Sequence, residues 1–306
     1  MMPFKTLRRK ITTVINDPKT LLLVPLMHFS FLFTDEIYLK FLFRFTMNKK
    51  LNLKNPQTFN EKLQWLKLNY KKPELNNMVD KYEAKKYVSK IIGEGFIVKN
   101  LGLWDSFDKI DFDKLPDQFV LKTTHDQGGV VIVNDKNKLD KNAAEKKLTE
   151  HLKVKHYYLS REWPYKNVQP RILAEEFLKN DTVGDLYDYK FFCFNGEPRI
   201  MYIVHGREKD ICYFDWFDME FNHLDIERRG YPNSNLEIKK PVNWELMISL
   251  SEKLSKDLPH IRVDFYSIKD KVYFGELTFF QGGGLMPFYP EEWDYKLGSW
   301  INLPIN

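Results

Sequence analysis

Cysteine is nearly absent from this chain: only Cys193 and Cys212 occur among 306 residues. Two thiols build neither a disulfide framework nor a four-thiolate zinc site. A membrane-spanning run is also missing. The apolar stretch LLLVPLMHFSFLF at 21–33 has 13 residues and contains Pro25, whereas a spanning helix needs about 20. Charge of one sign is not in excess, with 47 Lys+Arg against 42 Asp+Glu and a net charge of +5. The lysines alternate with acids, as at 108–114 and 135–147, which is the texture of a solvated surface. Without a concentrated basic stripe, nucleic acid is not an expected partner. Glycine (14) and proline (15) are too few for low complexity.

The start of the chain does not read as a secretory leader. Asn16-Asp17-Pro18 separates the basic Leu-Arg-Arg-Lys at 7–10 from the apolar stretch, and Thr34-Asp35-Glu36 follows in place of small residues. A cytoplasmic protein is therefore expected. A basic, apolar N-terminus can dock at the inner face of a membrane; the plainer reading is a helical arm packed on the body.

What is present is 43% hydrophobic and 15% aromatic residues, enough for a sizeable core. Thr34-Asp35-Glu36 caps a helix carrying Ile37, Leu39, Leu42 and Phe43 on its apolar side. Thr58-x-x-Glu61 is a capping box ahead of Leu63, Trp65, Leu66 and Leu68. One further helix is expected from Met78 to Ile92, ending at Gly93. From Phe96 the texture changes to short β-like runs: 118–122 and 130–133 around a Gly-rich turn, 172–175, and 189–194 with 199–204 around Asn195-Gly196, a strong hairpin signal. A charged helix is expected at 138–155 and an amphipathic one at 244–256. A last hairpin spans 261–268 and 272–279, closed by Gly282-Gly283-Gly284.

Four segments can carry chemistry. In the first, a strand ends at Lys122 and a polar loop with Gly128-Gly129 follows. Such a loop brings backbone N–H groups to a phosphate, with Lys122 as a point charge, or is an ordinary tight turn. The second is the last hairpin. With a three-residue turn at 269–271, Ile268 faces Val272, Tyr266 faces Phe274, Asp264 faces Glu276 and Arg262 faces Thr278. Two opposed carboxylates repel unless a cation lies between them. A hard cation shared with phosphate oxygens fits, as do solvent-facing acids with Lys or Arg partners. Arg262 on the same face suits a phosphate or a developing oxyanion. The third, Ala174-Glu175-Glu176-Phe177-Leu178, is a strand leaving its sheet, able to offer backbone groups to an adenine edge. The fourth is Lys190 in Asp188-Tyr-Lys, pointing inward at phosphate or exposed. No P-loop, G-x-G-x-x-G, H-E-x-x-H or G-x-S-x-G pattern occurs. Asp111-Phe-Asp113 reads as a solvated turn, and Trp163, Trp216, Trp293 and Trp300 are candidates for an acceptor groove.

Taken in order, Lys54-Asn-Pro-Gln-Thr-Phe-Asn-Glu-Lys62, Val79-Asp-Lys-Tyr82, Phe119-Val-Leu-Lys122, Asp188-Tyr-Lys-Phe191, Val263-Asp-Phe265 and Gly275-Glu-Leu-Thr278 resemble the TupA-like branch of the ATP-grasp superfamily, linked to teichuronopeptide and capsular polysaccharide synthesis. The resemblance implies an α+β ATP-grasp fold, two β-rich lobes clasping ATP, with a helical N-terminal extension. Its implied parts are an arm (1–50), a helical part of the core (51–95), a central ATP-binding lobe (96–178) and a C-terminal lobe with the metal site (179–306). Lys81 and Lys122 match the phosphate-gripping lysines. Thr124, His125, Gly128 and Gly129 match the mobile loop, and Glu175, Glu176, Phe177 and Leu178 the adenine hinge. Asp264, Glu276 and Thr278 match the Mg²⁺ ligands, Thr278 standing where many relatives carry asparagine. Arg262, with Lys190, falls to the reacting acyl phosphate. The implied activity is an ATP- and Mg²⁺-dependent carboxylate–amine ligase forming an amide through an acylphosphate, its substrates a small-molecule or glycan carboxylate and an amine. The alternatives are a glycosyltransferase that consumes a nucleotide sugar, using Asp111 and Asp113, and a catalytically degenerate ATP-binding scaffold.

Overall fold

The computed structural model describes residues 23, 25–27, 29–178, 186–206, 211–228, 230–269 and 271–304. The basic residues at 7–10 and part of the apolar stretch at 21–33 lie outside these. Among the described residues no helix is long and apolar enough to cross a membrane.

Helix α1 (Asp35–Met47) begins where Thr34 accepts a hydrogen bond from the Ile37 amide at 3.4 Å. It buries Tyr38, Leu39, Leu42 and Phe43, while Ile37, expected on the apolar side, is exposed. Tyr38 occupies the core-facing turn in its place and donates its hydroxyl to the Leu159 carbonyl at 2.9 Å. Helix α2 (Phe59–Asn69) starts with the full capping box of Thr58 and Glu61. The single helix expected over 78–92 is two: α3 (Leu75–Val79) and α4 (Glu83–Ile92). Between them the Asp80 carboxylate accepts from the Tyr82 and Glu83 amides at 2.8 and 2.9 Å, restarting the helix as an N-cap does. The break carries Lys81.

Four antiparallel strands then form the first sheet: β1 (Asn100–Trp104), β2 (Phe119–Thr123), β3 (Val130–Val133) and β4 (Ile172–Glu176), in the order β1-β4-β2-β3. Helix α5 (Lys141–Leu152) lays Ala144 and Leu148 on Phe119, Leu121 and Ile172. Helix α6 (His156–Ser160) and a turn at Trp163–Tyr165 connect it to β4. The second sheet comprises β5 (Asp188–Phe194), β6 (Glu197–His205), β7 (Tyr213–Asp218), β8 (His223–Leu224), β10 (His260–Ile268) and β11 (Lys271–Thr278), ordered β11-β10-β5-β6-β7-β8. Asn195 and Gly196 both have positive φ, 52° and 89°, which a two-residue hairpin turn of this twist requires. A separate pair joins β9 (Glu227–Arg228) to β12 (Phe288–Tyr289). The strands β1, β7, β8, β9 and β12 have no counterpart in the sequence reading. Helix α7 (Trp244–Ser255) covers one face of the large sheet, with Trp244 at 5.4 Å from the Phe191 ring.

Helix α8 (Glu292–Trp300) crosses the start of α2, where Asp294 accepts from the Asn60 backbone and side-chain amides at 3.0 and 2.9 Å. The approach depends on Gly298, since a Cβ there would lie 2.2 Å from the Gln57 carbonyl oxygen and 2.7 Å from the Phe59 nitrogen. Both obstacles are backbone and cannot rotate away. Gly298→Ala is therefore expected to destabilise the fold by about 1–3 kcal/mol, read as a lower urea midpoint with an unchanged slope.

Candidate active site

The hairpin of β10 and β11 turns in two residues, not three. Ile268 pairs with Lys271, Tyr266 with Tyr273 and Phe265 with Phe274, so the expected Ile268–Val272 and Tyr266–Phe274 pairs do not form. A slip of one residue sends side chains to the opposite face and would part the two carboxylates. A β-bulge corrects it. Between the Phe265–Phe274 and Val263–Leu277 pairs, Asp264 stands opposite both Gly275 and Glu276, and Arg262 then meets Thr278 as expected. Gly275 allows the close approach, because a Cβ there would come within 3.1 Å of the Asp264 carbonyl oxygen.

The register carries this face across the sheet. Asp264 lies opposite Lys190 on β5, Lys190 opposite Tyr202 on β6, and Tyr202 opposite Trp216 on β7. Trp216 is therefore a core residue with no exposed surface, and not part of an open acceptor groove. Lys190 points inward: its ammonium bonds Asp188 at 2.7 Å and also bonds Asp264. Arg262 grips Asp264 with two parallel bonds of 2.6 Å and reaches Glu276 at 2.5 Å. The cation between the acids is thus a guanidinium. Its remaining arm donates to Gln281, whose amide donates to the Tyr202 hydroxyl at 3.0 Å. Burial would raise the Glu276 carboxyl, but Arg262, Lys190 and Lys81 outweigh it and hold it at about 2. Burial raises the more deeply placed Asp264 carboxyl above its ordinary value, against the pull of Arg262 and Lys190.

The first sheet contributes the lysines. Lys122 and Lys85 both bond the buried Glu175 carboxylate, Lys85 at 2.8 Å. Burial opposes the charge on Glu175, yet the two ammonium groups bring its carboxyl down to about 2. Glu176 turns outward and spends its amide on the Lys99 carbonyl at 3.0 Å, with Phe177 and Leu178 half-buried at the strand end. Lys81 reaches over the 124–129 loop, its ammonium bonding the Thr123 carbonyl at 3.1 Å and the Asp126 carbonyl. Burial lowers its pKa, and Glu276 and Asp126 resist that shift.

The loop is organised by Asp126. Its carboxylate takes the Thr123 hydroxyl, the Gly129 amide at 3.2 Å and a ring nitrogen of His151 on α5. Thr124 bonds the Gln169 carbonyl at 3.3 Å and His125 the Val154 carbonyl at 3.0 Å. Gly128 and Gly129 are required by contact: a Cβ at Gly128 would sit 2.3 Å from the His151 ring, and one at Gly129 would sit 2.0 Å from the Thr123 hydroxyl. Asp126, Lys85, Asp188 and Gln281 escaped the sequence reading. Asp126 and Asp188 lie within segments it had singled out; Lys85 and Gln281 carry no local pattern that marks them.

The two halves meet at one cleft, lined by Lys81 and Gln127 from one side, Gly275 and Glu276 from the other, with Tyr165 between. A divalent cation here would have an oxygen donor set: the partly open Glu276 carboxylate, the Thr278 hydroxyl 3.1 Å from it, and Asp264 once Arg262 releases it. No group of three or more His, Cys, Asp or Glu side chains forms a metal cage among the described residues. The set therefore fits Mg²⁺ brought by phosphates, which supply the missing oxygens, and not a free-standing metal site. Asp111 and Asp113, by contrast, are exposed on an outer turn, with Asp111 paired to Lys114 at 2.9 Å.

The family model described as TupA-like ATPgrasp matches residues 61–302. The chain belongs to the TupA-like ATP-grasp family. Among solved structures, this family member is similar to D-alanine–D-alanine ligase from Bacillus anthracis, with 16% identity, a TM-score of 0.40, and coverage of 66% of this chain and 56% of that one. The corresponding ligase from Helicobacter pylori gives 18%, 0.37, 74% and 61%. N5-carboxyaminoimidazole synthase from Aspergillus clavatus gives 12%, 0.39, 66% and 44%. The chain thus spans less than two thirds of each of these. The comparison with curated proteins returns no match.

The Lys85–Glu175–Lys122 cluster of this TupA-like protein sets a pH dependence. A carboxyl whose pKa falls from 4.5 to about 2 on folding adds stability that is complete above 4.5 and is lost as the pH falls through 2. Glu175→Gln leaves two ammonium groups unpaired and is expected to cost roughly 3–5 kcal/mol at neutral pH. Urea midpoints measured from pH 7 to 2.5 should fall less steeply in acid for the variant than for the wild type; parallel curves would exclude this role.

Proposed function

We propose that this protein is an ATP- and Mg²⁺-dependent ligase that joins a carboxylate to an amine through an acylphosphate. The observation that carries the reading is that Lys81 and Glu276, from opposite halves, line one cleft, with Glu276 bonded by Arg262, which also holds the buried Asp264. Phosphates satisfy such a set, since they accept from lysine and arginine and share their oxygens with a carboxylate-bound cation. In this reading the helices up to 95, the lobe 96–178 and the lobe 179–306 enclose the nucleotide. Lys81 and Lys122 hold the phosphates, Thr124 to Gly129 cover them, and Glu175 to Leu178 border the adenine. Asp264, Glu276 and Thr278 hold Mg²⁺, which offsets charge on the phosphates when bound.

The reaction is positioning plus charge compensation. A substrate carboxylate oxygen attacks the γ-phosphorus, the bond to the bridging oxygen breaks, and ADP leaves. Arg262 and Lys190 stabilise the negative charge on the transferred group. The amine nitrogen then attacks the acyl carbon, phosphate departs, and the amine proton is released. The 124–129 loop keeps water away from the acylphosphate in the interval. A role in capsular polysaccharide biosynthesis, with a glycan carboxylate as the acid, agrees with the family.

Incubation with ATP, Mg²⁺, candidate uronic acids and hydroxylamine tests this directly, because hydroxylamine intercepts an acylphosphate as a hydroxamate. ADP and hydroxamate should appear together, and Glu276→Gln should lower both by roughly a hundredfold or more. Consumption of a nucleotide sugar without ADP would instead favour a transferase, and nucleotide binding without turnover a scaffold.

We also propose peripheral contact with an anionic membrane. Phe31 and Leu32 are each 67% exposed, Phe29, Ile37 and Phe41 are exposed nearby, and the sequence before them carries Arg8, Arg9 and Lys10. The protein should co-sediment with phosphatidylglycerol vesicles and not with phosphatidylcholine vesicles, and Phe31→Asp with Leu32→Asp should reduce the bound fraction.

A further inference from the structure

Arg228, on β9, is a buried cation without an acid. It is only 7% exposed, and among the described residues no carboxylate pairs with it. One guanidinium nitrogen meets the Met286 thioether, a weak acceptor, and the Nε has no hydrogen-bond partner. The guanidinium lies 5.1 Å from the Phe214 ring centre and 5.3 Å from that of Tyr231, two rings stacked on each other at 4.2 Å. Burial lowers its pKa; the hydroxyl groups of Tyr202 and Tyr231 oppose that shift, and the Arg262 cation adds to it. A charge out of water costs stability unless it is paired. Packing alone does not require arginine here, since methionine would rest on the same rings without that cost.

The position gives the unpaired charge a meaning. Arg228 and Arg262 both approach the Tyr202 hydroxyl; Arg262 also bonds Gln281 of the turn Gln281–Gly284, and Met286 packs against Gly282 in the same turn. Arg262 already has Asp264 and Glu276 as carboxylate partners, whereas Arg228 has none among the described residues. We infer that Arg228 is the specificity-determining anchor for a carboxylate of the acid substrate, taken up beside Tyr202 in place of the Met286 thioether. The ligase reading supplies the role of this carboxylate as substrate; the site itself rests on the unpaired guanidinium.

The test uses the full chain and thermal unfolding with three probes: glucuronate, L-glutamate and neutral glucose. Wild-type Tm should rise with a carboxylate and not with glucose. A rise with glucuronate alone assigns a sugar acid, and one with glutamate alone an amino acid. Arg228→Met should raise the Tm of the ligand-free protein, abolish the carboxylate response and leave the shift caused by ATP and Mg²⁺ intact. A variant that responds to the acids as the wild type does, or a wild type stabilised by ATP and by neither acid, overturns the inference. If Arg228→Met does not fold, Arg228→Lys decides: the carboxylate concentration at half-shift should rise about tenfold, and an unchanged value overturns the assignment. A wild type that ignores ATP and Mg²⁺ but answers to a carboxylate counts against the ligase reading and leaves this site standing.

Discussion

Two ionised carboxylates facing each other on neighbouring strands repel, and positive charge between them removes that cost. Asp264 and Glu276 meet this condition through Arg262, which holds both, and through Lys190, which holds Asp264 from the other side. Each of these cations depends on the sheet. Lys190 is the direct cross-strand neighbour of Asp264, and Arg262 lies two residues away on the same strand and face. The bulge at Gly275-Glu276 then decides whether the second acid joins them. Remove it, and the two-residue turn would carry Glu276 to the face covered by α7.

A second charge cluster repeats the scheme in reverse. In the first sheet one acid, Glu175, holds two lysines, Lys85 and Lys122. An excess of amines over carboxylates on this side faces a carboxylate pair on the other. Lys81 stands at the junction, placed there because the helix breaks at Asp80 and restarts at Glu83. Had 78–92 run as one helix, Lys81 would have followed the helical face into its neighbours instead of turning over the glycine loop. The glycines of that loop leave room for His151 and Thr123 packed against them, and Asp126 fastens its two ends.

Much of this was legible in the residues. Capping at Thr34 and Thr58, the turn at Asn195-Gly196, the strands around Lys122 and the last hairpin all follow from local rules of donor satisfaction, positive φ and alternation. The pairing of Asp264 with Glu276 was also legible, though by a register that holds for only half of the hairpin. Its turn-proximal half is out by one residue, and a bulge is not visible in a pattern of apolar alternation. Local rules likewise misplaced Ile37, because Tyr38, fully buried and hydrogen-bonded to the Leu159 carbonyl, took its place in the core.

The sequence by itself determined which elements form and which chemical groups they carry: family motifs, capping boxes, hairpins and the lysines and acids that a phosphate site needs. These depend on contacts within a few residues. Only the tertiary structure decided what each charge touches: that Arg262 fills the space between the acids, that Glu175 faces two lysines, and that Arg228 is buried with no carboxylate partner among the described residues. Most of those partnerships join residues between about ten and ninety positions apart, and all of their energies depend on burial and register, which no short stretch of chain specifies.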